Sequence, residues 1–198
     1  MENKTKWNID LRHSEIEFKV RHLMISNLKG KFTRFDASIY TSGKDFTTAE
    51  IDLWIDADSL TTGDSKRDNH LKGVDFFDVK NHHQISFTSQ NIGQSDRLGH
   101  HELWGNLSMK GITKRIQLDV EYGGITKDIT GQEKSGFVVS GKINRNDWNL
   151  DWNKEIEFGG LMIGEEINIL CEVELINVGI QELIMVLDSK SSQDGIGY

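Results

Sequence analysis

The sequence predicts an all-β protein of eight antiparallel strands, closed as a barrel or stacked as a sandwich. Three observations lead there. Apolar and polar residues alternate with a period of two along most of the chain as far as Asn177. The runs are joined largely by short turns, which must come from the 19 glycines because proline is absent. One connection is different: Thr61-Thr62-Gly63-Asp64-Ser65-Lys66-Arg67-Asp68-Asn69-His70-Leu71 is charged and elaborate. It reads as a crossing loop with a short helix, laid over an open end of the sheet. A sheet with something to cover suggests a container for a ligand more than a metal or nucleophile centre.

The strands follow in order. Ile16, Phe18, Val20 and His22 alternate with Glu15, Glu17, Lys19 and Arg21, the pattern of a half-buried antiparallel strand. Gly30 opens a second strand in which Phe32 and Phe35 are out of phase. A bulge near Thr33-Arg34 would return Phe35, Ala37 and Ile39 to the inner face. Ile51, Leu53 and Ile55 mark a third strand, and Ile85 and Phe87 a short fourth. Leu103, Gly105, Leu107 and Met109 share a face in the fifth; Ile116, Leu118, Val120 and Tyr122 do so in the sixth. Phe137, Val139, Gly141 and Ile143 form the seventh, and Ile167 to Leu175 the eighth. In the crossing loop, Thr61 or Thr62 is expected to cap the helix, with Asp64 three residues after Thr61. Eight closed strands leave an interior that is either filled or able to hold one small ligand. Periodicity alone leaves both readings open.

Composition narrows the function. The 198 residues carry a formal charge of −8, and no basic footprint for nucleic acid is visible. One cysteine, Cys171, cannot form an internal disulfide; its phase with apolar neighbours reads as a buried thiol. The N-terminal residues lack an apolar signal core, and no stretch approaches a membrane span, so a cytoplasmic location is expected, or a periplasmic one if a signal was removed. A barrel of residues 1–178 and a partly disordered extension of residues 179–198 are expected, the latter with an apolar run from Gly179 to Leu187.

Few residues invite chemistry. Seven histidines raise a metal-dependent enzyme using the loop histidines, with His70 and His82 as its test positions. Zinc needs three or four converging ligands, however, and no HExxH or CxxC is present. The adjacent pairs His82-His83 and His100-His101 point to opposite faces if extended. No nucleophile elbow, P-loop or dinucleotide fingerprint appears. His22 falls on the inward face at a strand end, where it suits either a ligand head group or a backbone carbonyl in the core. Arg67 and Asp68 read as a surface pair or an anion contact. Trp148-Asn149-Leu150-Asp151-Trp152, with Phe158 to Ile163, is too long for a hairpin turn and suits packing over the barrel end or lining its entrance.

Four segments together resemble the YceI-like family of lipid- and polyisoprenoid-binding proteins. They are His13-Ser14 through Phe18 and His22 to Gly30-Lys31-Phe32; Ser59-Leu60-Thr61-Thr62-Gly63 with Arg67-Asp68-Asn69-His70-Leu71 and Asp75-Phe76-Phe77-Asp78-Val79; Gly105-Asn106-Leu107-Ser108-Met109-Lys110-Gly111-Ile112-Thr113-Lys114; and Ile143-Asn144-Arg145-Asn146-Asp147-Trp148 with Ile163-Gly164-Glu165-Glu166-Ile167. The chain departs from the family in carrying His82 and His83 where tyrosine-proline is usual. It also has Asn146-Asp147-Trp148-Asn149 after Arg145 where aspartate-phenylalanine-glycine is usual. The resemblance implies a lipocalin-like eight-stranded antiparallel barrel with a short helix in a long crossing loop. It implies non-catalytic binding of an isoprenoid or fatty chain in a tunnel, for carriage, storage or sequestration, and a homodimer. The expected ligands are an isoprenoid quinone, a prenyl phosphate, or a fatty acid or amide, with no cofactor, no nucleic acid and no stable membrane insertion. Position and parity nominate Phe18, Val20, Leu107, Ile116, Leu118 and Phe137 as lining, and His22, Arg67 and His70 near a head group; Phe32 and Trp148, in the resembling segments, join the expected ligand-binding set. The competing readings are the metal-dependent enzyme and a filled-barrel stress-response protein.

Overall fold

The structure, a computed structural model, describes residues 4–94, 96, 99–155 and 162–179. The strands are β1 (Lys4–Ile9), β2 (Glu15–His22), β3 (Ser26–Phe32), β4 (Phe35–Ser42), β5 (Asp45–Asp56), β6 (Leu60–Thr61), β7 (Gln84–Ile92), β8 (His100–Met109), β9 (Ile112–Lys127), β10 (Glu133–Asn144) and β11 (Ile163–Asn177). A single helix, α1 (Ser65–Lys72), lies between β6 and β7 among the described residues. The proposed extension of residues 179–198 lies outside the described residues beyond its first position, and so does the segment 156–161 of the aromatic loop.

Antiparallel pairing runs β1-β4-β5-β7-β8-β9-β10-β11, and β1 pairs back onto β11 to close an eight-membered ring. The remaining strands are continuations of three staves. β11 is long enough to pair β2 along its first part, from Ile163 to Glu172, and β1 along its last, from Leu175 to Asn177. β1 and β2 are thus one stave broken at residues 10–14. β3 and β4 are a second, and β5 and β6 a third, interrupted by the 3-10 turn Ala57–Ser59.

The expected second strand is therefore two strands. In place of a bulge, Thr33-Arg34 forms a corner that lets Phe32 and Phe35 both be buried. Ser59 and Asp56 pin it: the Thr33 hydroxyl donates to Ser59 O at 3.2 Å, and Arg34 Nε and Nη2 donate to Asp56 Oδ2 at 2.9 and 2.7 Å. The helix cap also differs from expectation. Asp64 itself is the N-cap, accepting from the N–H groups of Lys66 and Arg67 at 3.0 and 3.1 Å. Thr61 and Thr62 instead donate their hydroxyls to Asp68, whose carboxylate also accepts the Thr62 N–H at 2.8 Å. The helix has no buried residue. Hydrogen bonds, with Leu71 packed against the core, hold it over the barrel end.

The stave broken between β1 and β2 is repaired by charge. Lys134 of β10 donates to Asp10 at 3.0 Å and to Glu174 of β11 at 2.6 Å. His13 Nδ1 donates to Asp10 at 2.9 Å, and Ser14 accepts the Glu174 N–H at 3.0 Å. The His13 hydrogen bond, then Lys134 and the Arg12 N–H, hold the Asp10 carboxyl well below the usual carboxylate range despite its burial. A depressed folded pKa contributes stability that is fully present above the unfolded value near 3.9 and is lost as pH falls through the folded value. Acid unfolding monitored by circular dichroism should therefore become shallower below about pH 4 in Asp10→Asn. Lys134→Met, which leaves two carboxylates facing each other, should lower stability at pH 7, read as a lower midpoint in urea titrations.

Candidate functional site

The inward positions enclose space instead of filling it. Two compartments occupy the barrel, of 350 and 200 Å³. The larger is walled by residues such as Ile9, Ala37, Ile39 and Val173. The smaller lies towards the helix end, among Val20, Phe32, Phe77, Leu107 and Ile116. Ile16, Leu53, Leu118 and Cys171 border both, and so form the waist between them.

Inward glycines explain the free space. Phe18 lies directly across from Gly30, and its ring covers the place a Cβ would take, with Cζ only 2.3 Å from it. Phe87 covers Gly105 with the same 2.3 Å approach, and Leu118 covers Gly141 at 2.5 Å. Each bulky side chain is laid against the wall where the neighbouring strand offers no side chain. The lumen beside it stays open.

The two ends differ. At the helix end Arg67 donates to the Thr62 hydroxyl at 2.8 Å and the Thr62 carbonyl at 3.1 Å. His70 hydrogen-bonds Asp75 at 3.1 Å and stands edge-on to Phe76 and Trp152. Arg145, 3 % exposed, reaches the same compartment. It donates to the carbonyls of Gly164 at 2.9 Å, Trp152 at 3.1 Å and Leu150. Burial draws its pKa down from the ordinary arginine value, opposed by Glu165 and Asp151, and it remains a cation. At the opposite end Phe46, at the start of β5 beside the β4–β5 turn, packs against Trp7, Tyr122 and Phe137 with centroids 4.8 to 5.7 Å apart. Lys44 ties that hairpin to Glu133. His101 Nδ1 donates to Gly93 O at 2.9 Å, while its ring lines the compartment.

Of the nominated residues, Phe18, Val20, Phe32, Arg67, His70, Leu107, Ile116 and Leu118 border the helix-end compartment. Phe137 lies in the other one, beneath Phe46. His22 and Trp148 line neither. His22 ends β2 opposite Ser26 and Ile163. Trp148 is 1 % exposed and donates its indole N–H to Leu107 O at 3.2 Å, so it closes the barrel end as packing. Sequence reasoning missed Arg145 as a lining residue; only the three-dimensional convergence of three carbonyls shows why a cation is tolerated there. Phe46 was missed too: it stands at the start of β5, out of phase with Ile51, Leu53 and Ile55, where the pairing with β4 shifts register.

The loop histidines do not converge on a metal site. His70 is held by Asp75, and His82 lies against Gly111. Among the described residues the grouping with metal-donor spacing is Asp10, His13 and Glu174, and the Lys134 ammonium already bridges its two carboxylates. Nor is the barrel filled, as the stress-response reading requires.

A closed antiparallel barrel with an apolar, two-compartment interior defines a protein of the lipocalin-like class. The chain belongs to the YceI-like domain family, whose pattern covers residues 7–175. A UPF0312 protein of Staphylococcus epidermidis is 35% identical over 171 residues, 86% of this chain and 96% of that one. The crystal structure of a Campylobacter jejuni YCEI protein is 34% identical, with a TM-score of 0.68 over 79% of this chain and 88% of that one. Burkholderia cenocepacia BcnA (19% identity, TM-score 0.72, 84% and 98% of the two chains) shares the fold. So does a polyisoprenoid-binding domain of Saccharophagus degradans (16%, 0.61, 86% and 98%).

Burial pushes the Cys171 thiol up to about 12. It should therefore resist a charged aqueous disulfide reagent at pH 8 in the native protein and react fully in guanidinium, as read by released chromophore. Native reactivity equal to the unfolded chain would mean that the waist is open to water.

Proposed function

We propose that the protein binds one long apolar molecule, an isoprenoid or fatty chain, threaded through both compartments, and does no chemistry on it. The observation that carries this reading is the near-continuous apolar lining from Phe46 at one end to Phe76 at the other. Small-molecule sites typically span about 300–1,000 Å³ with a few polar groups at fixed places, and this interior has that character. Each buried CH2 of a ligand contributes about 0.8 kcal/mol, so a long chain binds tightly with few polar contacts. Specificity then comes from length and from the ends, where Arg67, His70 and Arg145 face the compartment on one side and Tyr122 and His101 on the other. A quinone, a prenyl phosphate, or a fatty acid or amide fits these ends. The name of the Saccharophagus degradans domain supports the isoprenoid class. Among the described lining residues no nucleophile is paired with a base, and Cys171 is held as a thiol, which supports binding over catalysis. Carriage, storage and sequestration are the roles such binding serves.

Native mass spectrometry of the purified protein, with solvent extraction and lipid identification, tests this. A bound mass in the range of a prenyl or fatty chain is expected. A clean apo mass after incubation with quinones, prenyl phosphates and fatty amides would remove the reading. Leu118→Trp, which fills the waist, should shorten or abolish the bound species while leaving the far-ultraviolet spectrum unchanged.

A further inference from the structure

The hairpin joining β2 to β3 breaks two local rules. Its turn residues Leu23 and Met24 both adopt left-handed backbone, with φ of 50° and 61°. A Cβ crowds the neighbouring carbonyl in that region, and hairpins normally place glycine or asparagine there. Behind the turn, Lys19 and Lys29 stand directly opposite each other across the strands, a like-charge pair that repels. The backbone is otherwise regular: the Ile25 N–H donates to His22 O at 3.2 Å, and the Leu23 N–H to Met162 O at 2.8 Å. Neither irregularity serves the barrel. Local costs that a fold does not need point to function.

The tip is also apolar and exposed, Met24 at 58% and Ile25 at 81%. Around it the charge is reversed from that of the whole chain. Residues 18–35 hold five Lys or Arg and no Asp or Glu, in a protein of net −8. Lys31 is paired with Glu15 and Arg34 with Asp56. Lys19, Arg21 and Lys29 are exposed and join no ion pair among the described residues. On the adjoining strand β11, Glu165 and Glu166 are exposed, and Glu166 is paired with Lys142. On the inner face of the same hairpin, Val20 and Leu28 are partners in register and both line the helix-end compartment.

Apolar side chains at a tip with cations one row behind are the arrangement of a segment that inserts between lipid head groups. We propose that this hairpin docks on an anionic lipid bilayer and passes the apolar ligand between the bilayer and the cavity. The docking stands on the hairpin alone; the passage of ligand rests on the proposed function. A convex tip of three residues offers far less than the roughly 800 Å² per partner of a stable protein–protein interface. Insertion into a bilayer needs no such area, because each side chain is buried singly.

The test uses the full chain and sedimentation with vesicles of phosphatidylcholine, with and without phosphatidylglycerol. The wild type is expected to sediment with the phosphatidylglycerol vesicles, and less so as salt is raised. The double substitution Met24→Asp with Ile25→Asp should weaken sedimentation by at least about tenfold. A second pair, Leu23→Asn with Met24→Gly, fits the turn better and should raise the melting temperature while also weakening sedimentation. Loss of binding in that variant cannot come from unfolding. Sedimentation equal in wild type and both variants, equal on the two vesicle compositions, or absent on both, overturns the docking, as does binding only to a protein in place of vesicles. Lipid extracted from the same preparations separates the two readings. Bound lipid without vesicle binding defeats the docking alone, and vesicle binding without bound lipid defeats the tunnel alone.

Discussion

The rest of the structure depends on an apolar interior that its own side chains do not fill. Eight staves enclose a width that inward side chains can span only if all are large and point to the axis. Here Phe18, Phe87 and Leu118 instead lie flat over Gly30, Gly105 and Gly141. The lining atoms that face the compartments forgo the dispersion contacts of a close-packed core. Water does not replace them, because a water molecule needs two to four polar partners and the compartments offer few. An apolar ligand would restore them, and any ligand that binds the folded state alone would raise its apparent stability.

The barrel ends are built on different physics. The helix end is fixed by directed bonds: Asp64 caps α1, Asp68 gathers Thr61 and Thr62, and Arg145 collects three carbonyls. Removing any of these leaves a polar group without its partner, so this end is costly to open. The opposite end is covered by ring contacts of Phe46, with the Lys44–Glu133 ion pair at its rim and the buried Trp7 indole N–H donating to the Thr41 hydroxyl at 2.9 Å beneath it. Apolar packing makes up more of the cover there than at the helix end.

Much of the fold was legible because β-strands with one wet face write a period of two into the chain. The burial of alternate residues in β4 and β8 follows that pattern residue by residue. Where one stave is made of two strands the pattern is ambiguous. Phe32 and Phe35 fall out of phase both for a bulge and for a corner, and only Ser59 and Asp56, distant in sequence, decide between them. Parity located the lining at Val20, Leu107, Ile116 and Leu118, since a side chain's face is set by its neighbours. It misled at His22, where the strand ends, and Trp148, chosen from the resembling segment rather than by parity, also borders neither compartment. It could not find Arg145, whose burial depends on carbonyls from Leu150, Trp152 and Gly164 that no spacing rule brings together. The inward glycines were visible, but the side chains that cover them, Phe18, Phe87 and Leu118, lie on other strands.

One feature of the topology bears on how the protein is made. The strand that closes the ring, β11, is the last of the eleven strands among the described residues. It pairs with β10 beside it in sequence, but also with β1 and β2 at the other end of the chain. A ribosome delivers the N-terminal end first, so β1 and β2 emerge without the strand they need. Until residue 177 has left the exit tunnel, the nascent sheet has two unpaired edges and an apolar face turned to water. Such edges are templates for pairing with other chains. The β2 edge carries Glu15, Glu17, Lys19 and Arg21, and charged side chains along an edge oppose pairing with a foreign strand.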